Sequence, residues 1–157
     1  MDTPSRFPLF VDLTCARCLV VGAGSVGRRR AKALACHGAW VTVVDPKAAA
    51  GQADEAAPGR IDVKARTYRL GDEGGCRLVV AATNDRAVNL LVGQRCRAAG
   101  IPVSVADAPG ECTFFFPALC EGAGLTVGVV SRTGDHRLVA RAARAIRSLL
   151  ADLDRRA

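Results

Sequence analysis

The sequence predicts an α/β fold with a parallel sheet and crossover helices, followed by a segment of different design. Through the first two thirds of the 157 residues, short apolar runs alternate with stretches of helical pattern, as a parallel sheet requires. A glycine-punctuated bend, Gly22–Gly27, links the first apolar run to the first helical stretch. After Asp107, two apolar runs joined by a short turn replace the alternation and indicate a hairpin. With half its residues apolar, a chain of this length can build one well-buried core.

The first strand, turn and helix point to a ligand. Cys18–Val21 is continuously apolar, which is typical of a parallel strand buried on both faces. The following bend fits G-x-G-x-x-G, and the helical pattern Ser25–His37 ends at Gly38. In this motif the glycines allow a tight turn, the approach of a pyrophosphate and close packing of the helix on the sheet. The unit therefore predicts a dinucleotide site in a Rossmann-type parallel sheet, with an anion at the helix N-terminus.

The second strand adds a candidate for cofactor selectivity. Trp40–Val44 is predicted as this strand, and it ends in an acid, Asp45. A carboxylate about 20 residues past the glycine motif can accept hydrogen bonds from both ribose hydroxyls of NAD and repels the 2′-phosphate of NADP. The sequence therefore predicts NAD as the cofactor. A glycine-rich turn that matches the motif by chance is the alternative, and the order of strand, turn, helix, strand and acid argues against it.

Three further strands complete the predicted sheet. The stretch Ala48–Gly59 is small and polar, with room for one short helix. The fourth strand leads into a helix that Thr83 or Asn84 caps and that Gly100 ends. The three strands are predicted at Ile61–Ala65, Arg77–Ala82 and Ile101–Ala106, and the helix between the last two extends to about Ala99.

The chain is predicted to divide into residues 1–110, an NAD-binding Rossmann domain, and residues 111–157, a hairpin-and-helix dimerisation segment. Its strands are predicted at Cys112–Leu119 and Leu125–Ser131, and its amphipathic helix at about Asp135–Leu153. A hairpin plus one helix cannot bury a core alone, so packing on the first domain or on a second subunit is expected. Phe114–Phe116, placed in a strand, would present aromatic surface on both faces. A homodimer interface is the expected use, with a substrate wall as the alternative.

Composition narrows the range of partners. Lys and Arg number 22 against 15 Asp and Glu, and the net charge of +7 indicates an acidic partner. Few aromatic residues, no basic low-complexity tail and no helix-turn-helix or RNA-binding signature argue against nucleic acid. A small polyanion is as good a candidate for the acidic partner as nucleic acid, the usual partner of a basic chain. No apolar stretch of about 18 residues is present in the sequence, so no membrane partner is expected.

The cysteines favour the cytoplasm. All seven are scattered through predicted strands and helices, and an odd number without dense spacing suits a reducing compartment. Cys15 and Cys18 form a single C-x-x-C, whereas a structural zinc site needs two more ligands, so no metal site is predicted. The N-terminus carries acids and a proline where a signal peptide would carry a basic segment and an apolar core.

Four blocks of sequence carry a family resemblance. They are FPLFVDL at Phe7–Leu13, CLVVGAGSVGRRRAKAL at Cys18–Leu34, VVAATND at Val79–Asp85 and VSVADAPGECTFFFPA at Val103–Ala118. In order and separation they resemble the precorrin-2 dehydrogenase family, the NAD-dependent enzymes of sirohaem synthesis that occur alone or as the N-terminal module of sirohaem synthase. The last block is the most specific, because a generic dinucleotide fold has no reason to follow its fifth strand with Asp-Ala-Pro and an aromatic strand.

The resemblance implies oxidation of precorrin-2 to sirohydrochlorin, with a hydride passing to NAD and a proton leaving the macrocycle. The substrate is a tetrapyrrole with eight carboxylates, which would account for an arginine-rich surface. Asp107 matches the aspartate that the family uses at its active centre. From its position alone, Asp107 is a base, an electrostatic anchor or the first residue of a turn.

The expected cofactor-binding residues come from the motif and from the resemblance together. Arg29 and Arg30 match a basic pair of the family, and the expected partner is a cofactor phosphate, a substrate carboxylate or an acidic neighbour, with a solvated helix face as the alternative. The role of Asp45 rests on general Rossmann logic, because family members often have a small residue there. The full set is Gly22, Ala23, Gly24, Ser25, Val26, Asp45, Pro46, Lys47, Thr83 and Asn84.

Two departures from the family pattern bear on the activity. The family usually carries a serine- and glycine-rich loop ending in Ser-Pro before the last helix, whereas this chain has SRTGDHR at Ser131–Arg137. Longer members continue into a helical domain beyond the point matching Ala157, so dehydrogenation without metal insertion is expected. Two alternatives stay open. One is a bifunctional enzyme with both dehydrogenase and ferrochelatase activity, and the other is an NAD-sensing regulatory domain.

Overall fold

The computed structural model describes residues 6–52 and 58–156. It divides the chain into two compact units, one comprising Phe10–Phe114 and the other Met1–Leu9 with Phe115–Ala157. The first unit contains the parallel sheet, and the second contains the hairpin and the last helix. Within the described ranges, none of the helices has the length and apolar character needed to cross a membrane.

The first unit is a six-stranded sheet with two helices. Five of its strands are parallel, and a two-residue strand joins one edge in antiparallel fashion. The elements in chain order are β1 Arg17–Val21, α1 Ser25–Cys36, β2 Trp40–Val44, β3 Gly51–Gln52, β4 Arg60–Lys64, β5 Leu78–Ala81, α2 Arg86–Ala98, β6 Val103–Val105 and a 3₁₀ turn at Pro109–Glu111. The predicted strands and helices therefore exist, with ends that differ by one or two residues.

The strand order across the sheet is β3-β4-β2-β1-β5-β6, so the chain reverses its direction of travel at β1 and β5. The crossover β1-α1-β2 runs one way and β5-α2-β6 runs the other, and right-handed connections then place α1 and α2 on opposite faces. This is the doubly wound arrangement in which ligands bind outside the carboxyl ends of the strands, where the order reverses. The predicted Rossmann-type fold is confirmed.

The face of the sheet under α2 carries a continuous apolar core. It is built mainly from branched side chains of β1, β5 and β6 packed against the inward face of α2, as expected for parallel strands buried on both faces. Its buried members are Leu19, Val21, Val44, Val79, Ala81, Val92, Cys96, Val103 and Val105. Because this core holds the central strands rigidly, their carboxyl ends form a fixed platform.

The predicted cap of α2 is wrong. Neither Thr83 nor Asn84 caps the helix. Asp85 is the N-cap residue, and its side chain accepts hydrogen bonds from the backbone N–H groups of Ala87 and Val88. The predicted cap lies too far upstream. The backbone N–H and carbonyl of Thr83 are hydrogen-bonded to the buried side chain of Asn89 in α2.

The predicted strand Cys112–Leu119 is also wrong for its first six residues. The strand begins at Ala118, so Phe114–Phe116 precede it, and all three rings are half-buried. Two interactions hold the earlier residues elsewhere, since the Thr113 backbone N–H donates to the Val103 carbonyl at 2.8 Å and the Cys112 thiol accepts from the Val105 N–H at 3.2 Å. A residue before proline favours an extended conformation, and Pro117 has no N–H for a ladder.

The stretch Ala48–Gly59, for which the sequence predicts room for one short helix, contains a short strand. Gly51–Gln52 is the short strand β3, which pairs with Asp62 and Val63 of β4. Residues 53–57 lie outside the described part of the chain.

The second unit is a hairpin packed on one helix. Strands β7 (Ala118–Gly122) and β8 (Leu125–Val129) are antiparallel, and α3 (His136–Asp154) packs against them. Among its described residues, the fully buried cluster consists of Cys120, Ala143 and Leu150. The predicted last helix is confirmed, and Asp135 caps it by accepting from the Leu138 N–H at 2.9 Å. The small cluster agrees with the expectation that this segment cannot bury a core alone.

Candidate functional site

A cleft of about 560 Å³ lies at the carboxyl ends of the central strands. Its walls come from the turns that follow β1, β2, β4 and β5. The lining residues are Val21, Gly22, Ala23, Gly24, Arg28, Val44, Asp45, Pro46, Lys47, Ala48, Thr67, Tyr68, Ala82, Thr83, Asn84, Asp85 and Val88. The cleft therefore brings together most of the residues expected to bind a cofactor, although they are far apart in the sequence.

The strand order gives the cleft a direction. The residues after the strands follow each other across the sheet as Tyr68 after β4, Asp45 after β2, Gly22 after β1, Thr83 after β5 and Asp107 after β6. In a fold of this kind a dinucleotide lies across the strand ends with its pyrophosphate at the first turn. The β4 and β2 side then corresponds to the adenosine half, and the β5 and β6 side to the nicotinamide half.

The turn after β1 is shaped for a close approach. Gly22 has φ +103°, and a Cβ there would lie 2.4 Å from the Ala82 carbonyl oxygen. A Cβ on Gly27 would lie 1.9 Å from the Gly22 carbonyl oxygen, so both positions require glycine for packing. A Cβ on Gly24 would meet nothing within 4 Å. The space beside Gly24 is therefore open, as the approach of a pyrophosphate to this turn requires.

Neither a side-chain cap nor an acidic residue of the first turn offsets the partial positive charge at the N-terminus of α1. Gly24 is the N-cap residue and offers no side-chain cap, and the first turn contains no acidic residue. The first N–H groups of a helix lack intrahelical acceptors and attract an anion. Arg28, in the same turn, lines the cleft and adds a cation there. Ser25 and Val26 lie in this turn but do not line the cleft.

Asp45 lies in the cleft with its carboxylate fixed by two backbone donors. Its Oδ2 accepts from the Ala23 N–H at 2.6 Å, and its Oδ1 accepts from the Lys47 N–H at 2.7 Å. Each carboxylate oxygen can accept a further hydrogen bond. Asp45 therefore joins the turns after β1 and β2 and can still accept from ribose hydroxyls.

A buried asparagine shapes the turn after β5. Asn89 of α2 is fully buried, and its Oδ1 accepts from the Thr83 N–H at 3.1 Å and the Thr83 hydroxyl at 2.8 Å. Its Nδ2 donates to the Thr83 carbonyl at 3.0 Å. Both polar atoms of the Asn89 side chain thus bond to Thr83, as a buried amide requires partners. This residue was not singled out from the sequence, where a mid-helix asparagine resembles an exposed polar position.

Asp107 follows β6 and does not line the cleft. Its side chain is 39% exposed, and its Oδ1 lies 4.0 Å from Nη1 of Arg86, the first residue of α2. Arg86 also pairs with Glu111 through Nη2. A cation in the first turn of a helix is unfavourable by a few tenths of a kcal/mol or more, and the two carboxylates compensate for it. Arg86, the partner of Asp107, therefore directly follows a residue that lines the cleft, Asp85.

The other arginine of interest, Arg30, is directed to the sheet. Its Nη1 donates to the hydroxyl of the buried Ser104 at 3.3 Å, and burial lowers the pKa of its guanidinium.

The turn that follows β4 supplies cleft residues that sequence reasoning missed. Tyr68 lines the cleft and donates its hydroxyl to the buried Glu73 at 2.6 Å. Burial raises the pKa of the Glu73 carboxyl, but hydrogen bonds from Tyr68, Arg95 and Gly71 outweigh burial and hold it below its usual value. Burial and the bond to Glu73 both raise the pKa of Tyr68. No motif marks this turn, so the sequence contained no signal for it.

Among the described residues, none of the cysteines lines the cleft. Cys15 is exposed and Cys18 is buried in β1, where burial raises the pKa of its thiol to about 11. Across residues 6–52 and 58–156, no three His, Cys, Asp or Glu side chains are grouped closely enough to hold a metal ion.

Comparisons with known proteins point the same way. A family model described as "Putative NAD(P)-binding" matches residues 9–118. The "Siroheme synthase" of Pseudomonas entomophila (strain L48) is 43% identical over 138 residues, which cover 88% of this chain and 30% of that protein. The "Siroheme synthase" of Azotobacter vinelandii (strain DJ) is 40% identical over 138 residues, again 88% of this chain and 30% of that protein.

A solved structure resembles the chain as well. "SirC, precorrin-2 dehydrogenase" matches with a TM-score of 0.70 and 26% identity, covering 91% of this chain and 70% of that one. The chain spans 30% of the length of the curated relatives above. These matches confirm the resemblance that the four sequence blocks indicate.

Proposed function

The chain belongs to this NAD(P)-binding family, and we propose that it oxidises precorrin-2 to sirohydrochlorin with NAD as hydride acceptor. The observation that carries the proposal is the likeness to a precorrin-2 dehydrogenase over 91% of the chain. The cleft supports it, because Asp45 after β2, the open space at Gly24 after β1 and the end of β5 follow one another in the order that a dinucleotide needs.

The cofactor site we propose uses the residues that line the cleft. The turn after β1 and the N-terminus of α1 would hold the pyrophosphate, through Gly22, Ala23, Gly24, Ser25 and Val26. Asp45 would bind the ribose hydroxyls, with Pro46 and Lys47 along the adenosine side. Thr83 and Asn84 would flank the nicotinamide half. Ser25 and Val26 contribute backbone N–H groups in this proposal, which does not require their side chains in the cleft.

Bound NAD supplies an acceptor for the hydride. The loss of a hydride leaves positive charge on the macrocycle, and the loss of a proton restores neutrality. The Asp107 carboxylate lies beyond the end of β6, on the nicotinamide side of the cleft, and can stabilise that charge or accept that proton. Its distance of 4.0 Å from Arg86 leaves it without a close hydrogen-bonded salt bridge.

In this proposal the protein's positive charge attracts the carboxylates of the substrate. The net charge of +7 complements a macrocycle with eight carboxylates. Metal insertion as a second activity stays an alternative, because Asp107 is the one acid that the resemblance assigns to both reactions.

We also propose a homodimer, in which residues 111–157 provide the contact. The second unit exposes large apolar side chains on the same side of α3, with Leu138 at 53% and Leu149 at 58% exposure. Apolar surface of this kind is typical of a subunit interface. The cytoplasm is the proposed compartment, and seven free thiols agree with it.

The test is an assay with the purified chain, precorrin-2 generated in situ, and NAD or NADP. We expect NADH formation and the change in macrocycle absorbance to rise together, with NAD preferred. Tight NAD binding without turnover would favour the NAD-sensing alternative. A spectral change that needs added iron or cobalt but no NAD would establish the chelatase activity.

A further inference from the structure

We propose that Tyr68 forms the adenine-side wall of the cofactor cleft and that the buried Glu73 is the residue that positions it. The inference rests on the proposed function only in taking the cleft as the NAD site. Nothing in the glycine motif or in the family resemblance draws attention to either residue.

The place of Tyr68 in the sheet order identifies what it faces. It follows β4, the neighbour of β2, and Asp45 follows β2; both strands lie on the opposite side of β1 from Thr83. Tyr68 lines the cleft on this side, together with Val44 at the end of β2. An apolar wall with an aromatic ring suits a flat, uncharged base, and it lies beside the acid proposed for the adenosine ribose.

Glu73 is held in a way that fixes the tyrosine. It is 3% exposed, and its Oε2 accepts from the Tyr68 hydroxyl at 2.6 Å and from the Gly71 N–H at 3.0 Å. Its Oε1 accepts from Nε of Arg95 at 3.3 Å. A buried carboxylate is costly unless it is paired and hydrogen-bonded, so these three donors explain how the charge is tolerated. Glu73 is the only charged residue among the buried polar residues of the described chain.

The ring is constrained from two directions. Tyr68 packs against the apolar core under α2, and its hydroxyl is bound at the far end by Glu73. A side chain fixed in this way loses little freedom when a ligand binds, which improves affinity without a new contact. Glu73 is therefore a positioning residue, since it does not itself line the cleft.

The experiment uses the fact that the chain contains one tyrosine. Protein labelled with 3-fluorotyrosine gives a single ¹⁹F resonance, which is recorded with NAD, AMP and nicotinamide mononucleotide, while calorimetry on the same sample measures binding. We expect NAD and AMP to shift the resonance and the mononucleotide to leave it in place. NAD binding by calorimetry without a shift overturns the inference and leaves the proposed function intact. Absence of NAD binding overturns both.

Variants test the positioning role. Glu73→Leu should weaken NAD binding about tenfold, whereas Glu73→Gln keeps an acceptor and should restore affinity to within about threefold of the wild type. Tyr68→Phe leaves Glu73 bound to Gly71 and Arg95, so the fold is expected to survive, and affinity should fall about threefold.

The matched control is Asp62→Asn, which removes the charge of an exposed carboxylate of β4 that does not line the cleft. It should change NAD affinity less than twofold. If Tyr68→Phe and a folded Glu73→Leu both bind NAD as the wild type does, Glu73 has no positioning role.

Discussion

Asp45 shows how one residue serves the fold and the proposed chemistry together. Its carboxylate ties the turn after β1 to the turn after β2 through the N–H groups of Ala23 and Lys47. Asp45 also lines the cleft, where a ribose hydroxyl can donate a further hydrogen bond to its carboxylate. The sequence predicted this residue from its place at the end of a strand, but not its bond to the glycine turn.

Removing the charge of Asp45 should change the choice of cofactor. Asp45→Asn keeps one side-chain acceptor and removes the repulsion of a 2′-phosphate, and Lys47 and Arg28 leave positive charge nearby. We expect affinity for NAD to fall about tenfold and affinity for NADP to rise, so that the preference narrows or reverses. Calorimetric titration of both cofactors measures this. An unchanged NAD-to-NADP ratio would remove Asp45 from cofactor selection.

Residues that act through buried hydrogen bonds were the least predictable. Asn89 and Glu73 look like ordinary polar residues in the sequence, because nothing local indicates that tertiary contacts bury them. By contrast, Gly22 and Gly27 were predictable, since only glycine fits the contacts at those positions and the spacing of the motif records that demand. A local turn that requires glycine can be recognised from the spacing of residues in the sequence, whereas burial by distant parts of the chain cannot.

At the scale of elements, the parallel sheet was predictable and the region after β6 was not. Buried parallel strands such as β1 and β5 are continuous apolar runs, so their pattern is unambiguous. The run Cys112–Leu119 is also mostly apolar, but Thr113 bonds back to Val103 and the strand starts only at Ala118. An apolar run indicates burial without specifying which backbone partner it takes.

The turn after β4 depends on a salt bridge that should make its stability sensitive to pH. Arg66 donates two hydrogen bonds to Asp72, at 2.7 and 2.8 Å, and they hold the pKa of the Asp72 carboxyl below its usual value. A folded-state pKa below the unfolded value of about 3.9 stabilises the fold above that pH, and the contribution is lost as pH falls through the folded value.

Asp72→Asn should therefore destabilise the protein at neutral pH, by on the order of 1 kcal/mol. The difference from the wild type should shrink as the pH falls below about 4, since the wild-type carboxyl is then protonated as well. Urea unfolding of both proteins across this range measures the difference. A difference that does not change with pH would mean that the ionised pair contributes nothing.

At the scale of the whole molecule, the second unit should join two chains. Leu149→Glu places a charge on the exposed apolar side of α3, and we expect it to convert a dimer to a monomer because a buried unpaired carboxylate is costly. Light scattering coupled to size-exclusion chromatography measures the mass. Ser148→Glu adds the same charge one residue away and should leave the dimer intact. A monomeric wild type, or a dimeric Leu149→Glu variant, contradicts the proposed interface.

The most direct test of the proposed chemistry separates Asp107 from the cofactor site. Asp107 lies beyond β6 and outside the residues that line the cleft, so its removal should leave the affinity for NAD within about twofold. The rate of NADH formation from precorrin-2 should fall about a hundredfold or more in Asp107→Ala, because the loss of a positioned acid–base group costs at least that much. Wild-type turnover in this variant, or a loss of NAD binding equal to the loss of rate, would contradict the account.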